Sequence, residues 1–415
     1  MAERRLCSTP RRQTVKRIDA KPSSGERLRV GLNLVYLVED SGGSGTYARQ
    51  LLPHMLEADP SLELSAWIGS TAPDWLMREP WADRVRWIRL PVRGIGSPWH
   101  MWHELVGIGL DARRRGIDLV HGLANLGPLV HPGVVTVTTI LDVIWVHHPE
   151  AATLLFRSMG RILTPSVGRS STRVLAISEA ARDDIAATLH LDVEKFDVTP
   201  LGIVSPPPMR VAPEPRAVRE RLGLGPEPIV LCVAAKRAHK NLHALIRAIA
   251  LLGESPVQLV LPGSPNDYER ELRALAHELG VEGRVHFPAW ISEADLEDLY
   301  RVAACFVLPS FQEGFGLPVL EAMARGVPVA CSDTSSLPEV AGDAALFFDP
   351  CEESQIAERI GRLLCDRALA KTLVERGYRR CALFTWGRTA ELTLDSYRRA
   401  LVRAPAGSPT VDSPS

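Results

Sequence analysis

The sequence of 415 residues lacks several features that mark other classes of protein. It contains no apolar run that approaches the ~20 residues of a membrane span, so we predict none. Its formal net charge is only −1, which gives no global reason to expect nucleic acid or an anionic surface as a partner. Its cysteines form no Cys-x-x-Cys pair, so neither a metal site nor a redox motif is indicated. We expect reduced, mostly apolar cysteines in a cytoplasmic protein. The cysteines are Cys7, Cys232, Cys305, Cys331, Cys351, Cys365 and Cys381.

The two ends of the chain lack the apolar residues that a packed core needs. Residues 1–26 carry basic residues, but no apolar segment follows them as a secretory signal requires. Residues 404–415 are rich in proline and serine. We therefore predict a disordered arm at 1–26 and a disordered tail at 404–415.

Between these ends, apolar segments alternate with helical stretches, which predicts two successive α/β domains. The chain exceeds the length that one hydrophobic core usually serves, and 46% of its residues are hydrophobic. Ser205 to Pro215 is rich in proline, which disfavours both helix and sheet and marks a boundary. We predict a first domain at 27–205, a second at 206–385 and a final helix at 386–403. The predicted strands are Arg29 to Val35, Leu64 to Trp67, Val85 to Leu90, Leu119 to His121, Val134 to Ile140 and Arg173 to Ile177, then Ile229 to Ala234, Val257 to Leu261, Arg284 to Phe287, Ala304 to Leu308 and Val327 to Cys331.

The most informative segment of the sequence runs from Ala304 to Arg325. It contains a glycine turn from which a predicted helix begins. A strand at Ala304 to Leu308 is followed by a loop at Pro309 to Gly316 and a helix at Leu317 to Arg325. With the next strand this makes a parallel βαβ unit, whose loop lies at the edge where such sheets bind ligands. The free N–H groups of Gly314, Phe315 and Gly316 favour an anion there.

Two glutamates flank this turn. Glu313 lies in the loop, and Glu321 lies roughly 6 Å along the helix. Carboxylates are natural acceptors for pairs of sugar hydroxyls. A phosphate site with two such carboxylates predicts a nucleotide sugar as ligand.

Two further loops follow strands. Lys236, Arg237, His239 and Lys240 form a basic loop after Ile229 to Ala234, where cations would stabilise a leaving diphosphate; the alternative is a solvated basic loop. Gly42, Gly43, Ser44 and Gly45 follow the first strand but lack the third glycine of the dinucleotide fingerprint. The alternative for this loop is a tight turn without a ligand.

The run from Glu313 to Ala324, Glu-Gly-Phe-Gly-Leu-Pro-Val-Leu-Glu-Ala-Met-Ala, resembles the paired-glutamate motif of retaining glycosyltransferases of family 4. The resemblance extends from about Arg29 to Leu401. It implies the GT-B fold, an α/β architecture in which two Rossmann-like domains face each other across a cleft. It also implies retaining transfer from a donor in the second domain to an acceptor mainly on the first. Because cations are already available for the diphosphate, we expect a metal-independent reaction without a cofactor.

The resemblance assigns roles to residues. Glu313 would contact the donor sugar and Glu321 the ribose, while the segment from Gly314 through Phe315 and Gly316 to Leu317 would hold sugar and diphosphate. Gly42 to Gly45 would approach the diphosphate and the acceptor. Lys240 matches a phosphate-binding lysine. The expected catalytic residues are Glu313, Lys240 and Asp142.

Two positions depart from the family pattern. Ala234 and Ala235 stand in place of a glycine and a phosphate-binding arginine, so Lys236 or Arg237 is expected to substitute. Leu141 stands where many relatives have a histidine that contacts the donor sugar, which favours a less polar or deoxygenated sugar. Ser178 and Glu179 resemble a family Ser-Glu pair and are expected to cap a helix.

Alternatives stay open at this point. A sugar-nucleotide epimerase or a glycogen-type phosphorylase has the same fold, and Leu141 and Ala234 favour a catalytically silent binding or scaffold protein. The expected acceptor is a small molecule, a lipid-linked compound or a saccharide; nucleic acid is not expected, and membrane contact is not indicated. Some tryptophans of the first half are expected to form an acceptor platform and most to pack in the core. Asp295, Glu297 and Asp298 are interpreted as a solvated helix face rather than metal ligands.

Overall fold

The computed structural model describes residues 27–38, 42–92, 96–151, 154–204, 214–289 and 291–403. The predicted arm at 1–26, the predicted tail at 404–415 and residues 205–213 of the predicted boundary lie outside the described residues.

The described part of the first domain contains one parallel sheet. Its strands are β1 (Arg29–Asn33), β2 (Glu63–Ile68), β3 (Val85–Arg89), β4 (Leu119–Gly122), β5 (Val135–Thr139), β6 (Arg173–Ala176) and β7 (Phe196–Val198). They lie in the order β3-β2-β1-β4-β5-β6-β7, and every pair is parallel. Since the strand order reverses between β1 and β4, a crevice is expected beyond the carboxyl ends of these strands.

The described part of the second domain repeats this plan. Its strands are β8 (Ile229–Leu231), β9 (Gln258–Val260), β10 (Val285–His286), β11 (Cys305–Leu308), β12 (Val329–Ser332) and β13 (Ala345–Phe348). They lie in the order β10-β9-β8-β11-β12-β13, again all parallel. All four residues of β11 are buried, as expected for an apolar strand that is covered on both faces.

Helices cover the sheets. Those of the first domain are α1 (Gly42–Ala58), α2 (Pro98–Trp102), α3 (Ile108–Arg114), α4 (Ile144–His147), α5 (Leu154–Ser170) and α6 (Glu179–Leu189). Those that follow are α7 (Pro215–Leu222), α8 (Leu242–Leu251), α9 (Asp267–Glu278), α10 (Glu293–Val302), α11 (Leu317–Ala324), α12 (Leu337–Ala341), α13 (Glu353–Cys365), α14 (Arg367–Cys381) and α15 (Trp386–Arg403). Among the described helices, none has both the length and the apolar character that crossing a membrane requires.

The predicted strands are all present, with ends shifted by a few residues, but each sheet has an edge strand that was not predicted. β7 is only three residues long and follows a short 3₁₀ turn, so it has too few residues to show an alternating pattern. β13 is a short apolar run, and periodicity alone does not distinguish such a run from a buried piece of helix.

The chain returns to the first domain at its end. Ile203 N donates to Phe384 O over 3.0 Å, and a Cβ on Gly202 would lie 2.1 Å from Trp386 N, so the two crossing segments touch through backbone. α15 then packs against α1, and the Tyr397 hydroxyl lies 2.7 Å from Nδ1 of the buried His121 on β4. The last helix is thus part of the first domain's core.

Candidate functional site

A cleft of about 780 Å³ lies between the carboxyl edges of the two sheets. The first domain lines it from five separate parts of the chain, whereas the second domain contributes chiefly the loops after β8 and β11. The first-domain wall consists of Gly42, Gly43, Ser44, Tyr47, Asn125, Leu141, Asp142, Ile144, Trp145, Ile177 and Leu201. The second-domain wall consists of Ala234, Ala235, Lys236, Arg237, His239, Lys240, Gly263, Ser264, Asn266, Glu313, Gly314, Phe315, Gly316, Leu317 and Pro318.

Lys240 and Glu313 form an ion pair at the centre of the second wall. Lys240 Nζ lies 2.6 Å from Glu313 Oε1, and the hydroxyl of Ser310 donates to the same oxygen over 2.7 Å. The Glu313 side chain is 9% exposed and that of Lys240 is 16% exposed. Glu313 Oε2 takes part in neither of these bonds. The pair therefore places one cation and one carboxylate side by side in the second-domain wall of the cleft.

Asp142 joins this pair from the first domain. It follows β5, and its Oδ1 accepts a hydrogen bond from Ile144 N over 3.2 Å. Burial raises the pKa of the Asp142 carboxyl, while Ile144 N and the positive charge of Lys240 act in the opposite direction. The structure thus brings the three predicted catalytic residues to one cleft, although they are far apart in sequence.

The glycine turn closes against the first domain. The hydroxyl of Ser178 donates to Gly314 O over 2.8 Å, and a Cβ on Gly314 would lie 2.8 Å from Leu141 O. Gly316 has a φ of 102°, and a Cβ there would lie 2.6 Å from Leu337 Cδ2. Glycine is therefore needed at both ends of the turn, for close approach at Gly314 and for backbone conformation at Gly316.

Contacts between the domains hold this closed arrangement. Glu339 of the second domain accepts hydrogen bonds from Glu179 N and Ala180 N, at 3.0 and 3.1 Å, at the start of α6. Gln312 Nε2 donates to Asp184 Oδ2 over 2.6 Å. Sequence reasoning missed these residues, since nothing local pairs them. The predicted cap is confirmed, because Ser178 Oγ accepts from Ala181 N over 2.9 Å.

Lys236 and Arg237, the two candidates for the missing family arginine, are placed differently. Lys236 is turned into the second domain, where Nζ lies 2.7 Å from both Glu269 Oε2 and Gly263 O and the side chain is 1% exposed. Its charge is already paired with Glu269, so it is a poor candidate for a diphosphate ligand. The prediction of a substitute cation therefore moves to Arg237, which lines the cleft.

Glu321 lies on α11 but is not among the residues that line the described cleft. Its Oε2 accepts a hydrogen bond from the Tyr300 hydroxyl over 3.2 Å. Burial raises the pKa of the Glu321 carboxyl, and the nearby Arg325 opposes this. Its predicted role at the ribose stays a prediction.

The predicted glycine loop is a helix instead. Gly42, Gly43, Ser44 and Gly45 form the first turn of α1, and the first three line the cleft while Gly45 is buried. The Tyr36 hydroxyl donates to Ser44 O over 3.3 Å and ties this turn to the end of β1. Glycines usually indicate a loop, but here the tertiary structure outweighs their low helix propensity.

The acidic residues of α10 are paired rather than solvated. Arg221 binds both Asp295 and Asp298, at 2.6 and 2.8 Å, and Glu297 pairs with Arg301 and Arg325. Across the described part of the chain, no group of three or more His, Cys, Asp or Glu side chains is placed to hold a metal ion. The absence of a metal from the reaction stays a prediction.

The tryptophans of the first half have different surroundings. Trp67 is fully buried, and Trp145 is 5% exposed and lines the cleft. Trp99 and Trp102 are 51% and 43% exposed, and their rings are stacked with centroids 5.2 Å apart. Trp145 is thus the only one of these four that lies in the described cleft.

Two parallel-sheet domains of this topology, with a cleft between their carboxyl edges, define a protein of the GT-B fold. Residues 216–380, which lie in the second domain, match the model of the family described as glycosyl transferases group 1. The resemblance to GT-B glycosyltransferases that residues 313–324 predicted is confirmed. The roles of the paired glutamates are not tested by this match.

Similar proteins agree with this assignment. The chain is 32% identical over 232 residues to O-antigen chain mannosyltransferase B of Escherichia coli, covering 55% of this chain and 61% of that protein. It is 29% identical over 326 residues to the MMP alpha-(1->4)-mannosyltransferase of Mycolicibacterium hassiacum, covering 72% and 74%. The match thus spans somewhat less than two thirds of the first relative.

A solved structure shares the fold over nearly the whole chain. Sucrose-phosphate synthase from Thermosynechococcus elongatus superimposes with a TM-score of 0.71 at 22% identity, covering 91% of this chain and 100% of that one. At this identity the comparison supports the architecture alone.

Proposed function

We propose that this protein is a retaining, metal-independent glycosyltransferase of the family 4 type that moves a sugar from a nucleotide-sugar donor to a hydroxyl acceptor. One observation carries the proposal: Lys240, Glu313 and Asp142 meet at a cleft between the two carboxyl edges, beside the glycine turn that opens α11. This arrangement combines a cation, carboxylates and free backbone N–H groups. It suits a ligand that carries both phosphate and sugar hydroxyls.

The chemistry proposed for these groups is electrostatic. As the glycosidic bond breaks, negative charge develops on the leaving diphosphate, and Lys240 with the N–H groups of Gly314 to Gly316 stabilises it more than the ground state. Glu313 holds the sugar through its hydroxyls. The acceptor hydroxyl attacks from the face of the leaving phosphate, which takes the acceptor proton. No cofactor is needed for this route.

The names of the relatives and the presence of Leu141 limit the candidate donor sugars and acceptors. Two relatives are named mannosyltransferases, which favours a mannose-type hexose. Leu141 favours a sugar that is less polar at the point facing it. One relative's name refers to an O-antigen chain, which favours a saccharide acceptor. A cytoplasmic location is part of the same proposal.

The test is turnover by the purified protein with a panel of nucleotide sugars. Thermal shift identifies donors first, since a ligand that binds only the folded state raises the melting temperature. Release of nucleoside diphosphate is then measured with and without saccharide acceptors, and the product anomer is determined by NMR.

The outcomes separate the alternatives. Acceptor-dependent transfer with the donor's anomeric configuration supports the proposal. A new nucleotide sugar or free diphosphate formed from donor alone indicates an epimerase. Binding without turnover on any acceptor of the panel indicates the silent scaffold. Loss of activity with EDTA that added metal restores would contradict metal independence.

A further inference from the structure

His239 is a titratable residue of the cleft to which the proposed function gives no role. It lies in the 3₁₀ turn Ala238–Lys240 that follows β8, immediately before the catalytic candidate Lys240. Its carbonyl oxygen accepts from Phe311 N over 2.9 Å, and Asn241, the residue after this turn, donates through Nδ2 to Pro350 O over 2.7 Å. The turn that carries His239 is thus anchored to two other loops of the second domain.

The His239 ring is buried but incompletely bonded. The residue is 5% exposed and lines the cleft, and its Nδ1 is a buried atom with no hydrogen-bond partner in the described structure. Three other polar side chains of the cleft are hydrogen-bonded. Asn125 Oδ1 accepts from Leu141 N, Asn266 Nδ2 donates to Lys236 O, and the Tyr47 hydroxyl bonds Thr139 Oγ1. A buried polar atom without a hydrogen-bond partner lowers the free energy of unfolding by about 1–3 kcal/mol. Because this atom belongs to a residue of the cleft lining, we infer that a ligand supplies the missing bond.

The charge state of His239 indicates which kind of ligand group its ring would bind. Burial lowers its pKa to about 4, and the neighbouring Lys240 acts in the same direction. The imidazole is therefore neutral near pH 7, and each ring nitrogen either donates or accepts one hydrogen bond. A neutral ring matches a neutral hydroxyl, whereas the anionic diphosphate is matched by Lys240 and the start of α11. Leu141, on the facing domain, has no polar side-chain atom to offer a hydroxyl.

We propose that His239 is a specificity-determining residue that bonds a hydroxyl of the transferred sugar through Nδ1. This inference rests on the proposed function, and it adds a sugar contact next to Lys240 and Glu313. The nucleoside diphosphate without its sugar makes no such contact. His239 therefore has to affect binding of the intact nucleotide sugar and leave binding of the bare diphosphate unchanged.

Three substitutions separate the two ring nitrogens. His239→Phe removes both, His239→Asn keeps an amide near the place of Nδ1, and His239→Gln extends the amide toward the place of Nε2. The control is His286→Phe, since His286 lies on β10, outside the cleft lining, and its Nε2 is also a buried atom without a partner. Calorimetry measures Kd for the nucleotide sugar and for the nucleoside diphosphate with each variant, and melting temperature monitors folding.

We expect His239→Phe to weaken nucleotide-sugar binding about 5–100-fold, the range for one buried hydrogen bond, with Kd for the diphosphate unchanged. His239→Asn is expected to retain most of the affinity and His239→Gln to lose it; His286→Phe should change neither. Equal loss for both ligands would place the contact on the diphosphate and overturn the proposal. Unchanged affinity in all variants, or equal rescue by Asn and Gln, would also overturn it.

This design separates the inference from the proposed function. If wild-type protein binds nucleotide sugars but transfers to no acceptor, the proposed function fails while the two Kd values still decide the role of His239. If transfer occurs and His239→Phe binds both ligands as wild type does, the inference alone fails. Should His239→Phe not fold, the comparison of Asn with Gln still tests the Nδ1 contact.

Discussion

The two walls of the cleft are built in different ways. The second-domain wall carries its charged residues on the loops after β8 and β11; they are Lys236, Arg237, Lys240 and Glu313. The first-domain wall is nearly neutral, with Asp142 as its one charged residue among the described lining. Its residues come from the start of α1, from the loops after β4, β5 and β6, and from the segment after β7. The second-domain wall is therefore encoded mainly by two local segments, whereas the first-domain wall exists only after folding.

Substitution of Lys240 should give the largest loss of activity if the second-domain wall stabilises the leaving diphosphate. We expect Lys240→Met to lower kcat by about 10²–10³-fold, the cost of removing one group that stabilises developing negative charge. The substitution also leaves Glu313 unpaired at 9% side-chain exposure, so some stability is lost as well. The ion pair thus gives Lys240 a role in folding as well as in the proposed chemistry.

The matched control is Lys236→Met in the same loop. Lys236 pairs with Glu269 at 2.7 Å, as Lys240 pairs with Glu313 at 2.6 Å, but its Nζ is bonded within the second domain and its side chain is only 1% exposed. Both variants should lower the melting temperature, and only Lys240→Met should lose turnover out of proportion. Equal turnover loss at equal melting temperature would show that the two lysines act alike and would remove the special role of Lys240.

Gly314 tests whether the two walls must touch. A Cβ would meet Leu141 O at 2.8 Å, so Gly314→Ala should push the walls apart by a fraction of an ångström. We expect kcat/KM to fall about 10²-fold, because small misplacements of reacting groups are costly, with diphosphate affinity nearly unchanged. Steady-state kinetics and calorimetry on the same preparation measure both quantities.

Gly361→Ala serves as the control for glycine replacement itself. Gly361 lies inside α13, and a Cβ there meets no atom within 4 Å. This variant should be more stable by about 0.5–1 kcal/mol and fully active. Full activity of Gly314→Ala would mean that the closed contact is dispensable.

Glu321 tests how far the donor site extends beyond the described cleft. If its carboxylate accepts the ribose hydroxyls, Glu321→Ala should weaken nucleoside diphosphate binding by about 1.5–3 kcal/mol. Tyr300→Phe is the control, since it removes only the hydroxyl that donates to Glu321 Oε2. A Kd for Glu321→Ala equal to that of wild type would assign this carboxylate to packing against α10.

Substitution of Leu141 should give the smallest change. It tests whether the first-domain wall contacts the donor sugar at this position. Leu141→His restores a hydrogen-bonding group on the first domain and should shift preference toward a fully hydroxylated donor by about 1–3 kcal/mol. Competition between a hydroxylated donor and its deoxy analogue measures this ratio in both proteins. The same preference before and after substitution would show that position 141 does not contact the sugar.

Sequence reasoning succeeded for features that depend on local segments and failed for pairings between segments that are far apart in the chain. The βαβ unit from Ala304 to Cys331 was predictable because its strand, turn and helix signals are all local. Lys236 and Arg237 were indistinguishable in sequence as candidates for the missing cation. Only the structure shows that the Lys236 ammonium is already paired with Glu269. The partnership of Glu339 with the start of α6 joins segments that are 159 and 160 residues apart. No local pattern carries such a pairing.

The sequence by itself determined the two α/β domains, the glycine turn at Gly314 to Gly316 and the placing of Lys240 and Glu313 on loops after strands, because each depends on short-range periodicity or turn chemistry. The tertiary structure decided which charges face the cleft, that Gly42 to Gly45 begin a helix, and that the His239 ring is buried with a free nitrogen. These outcomes depend on burial and on long-range contacts. Both are set by the packing of segments that are far apart in the chain.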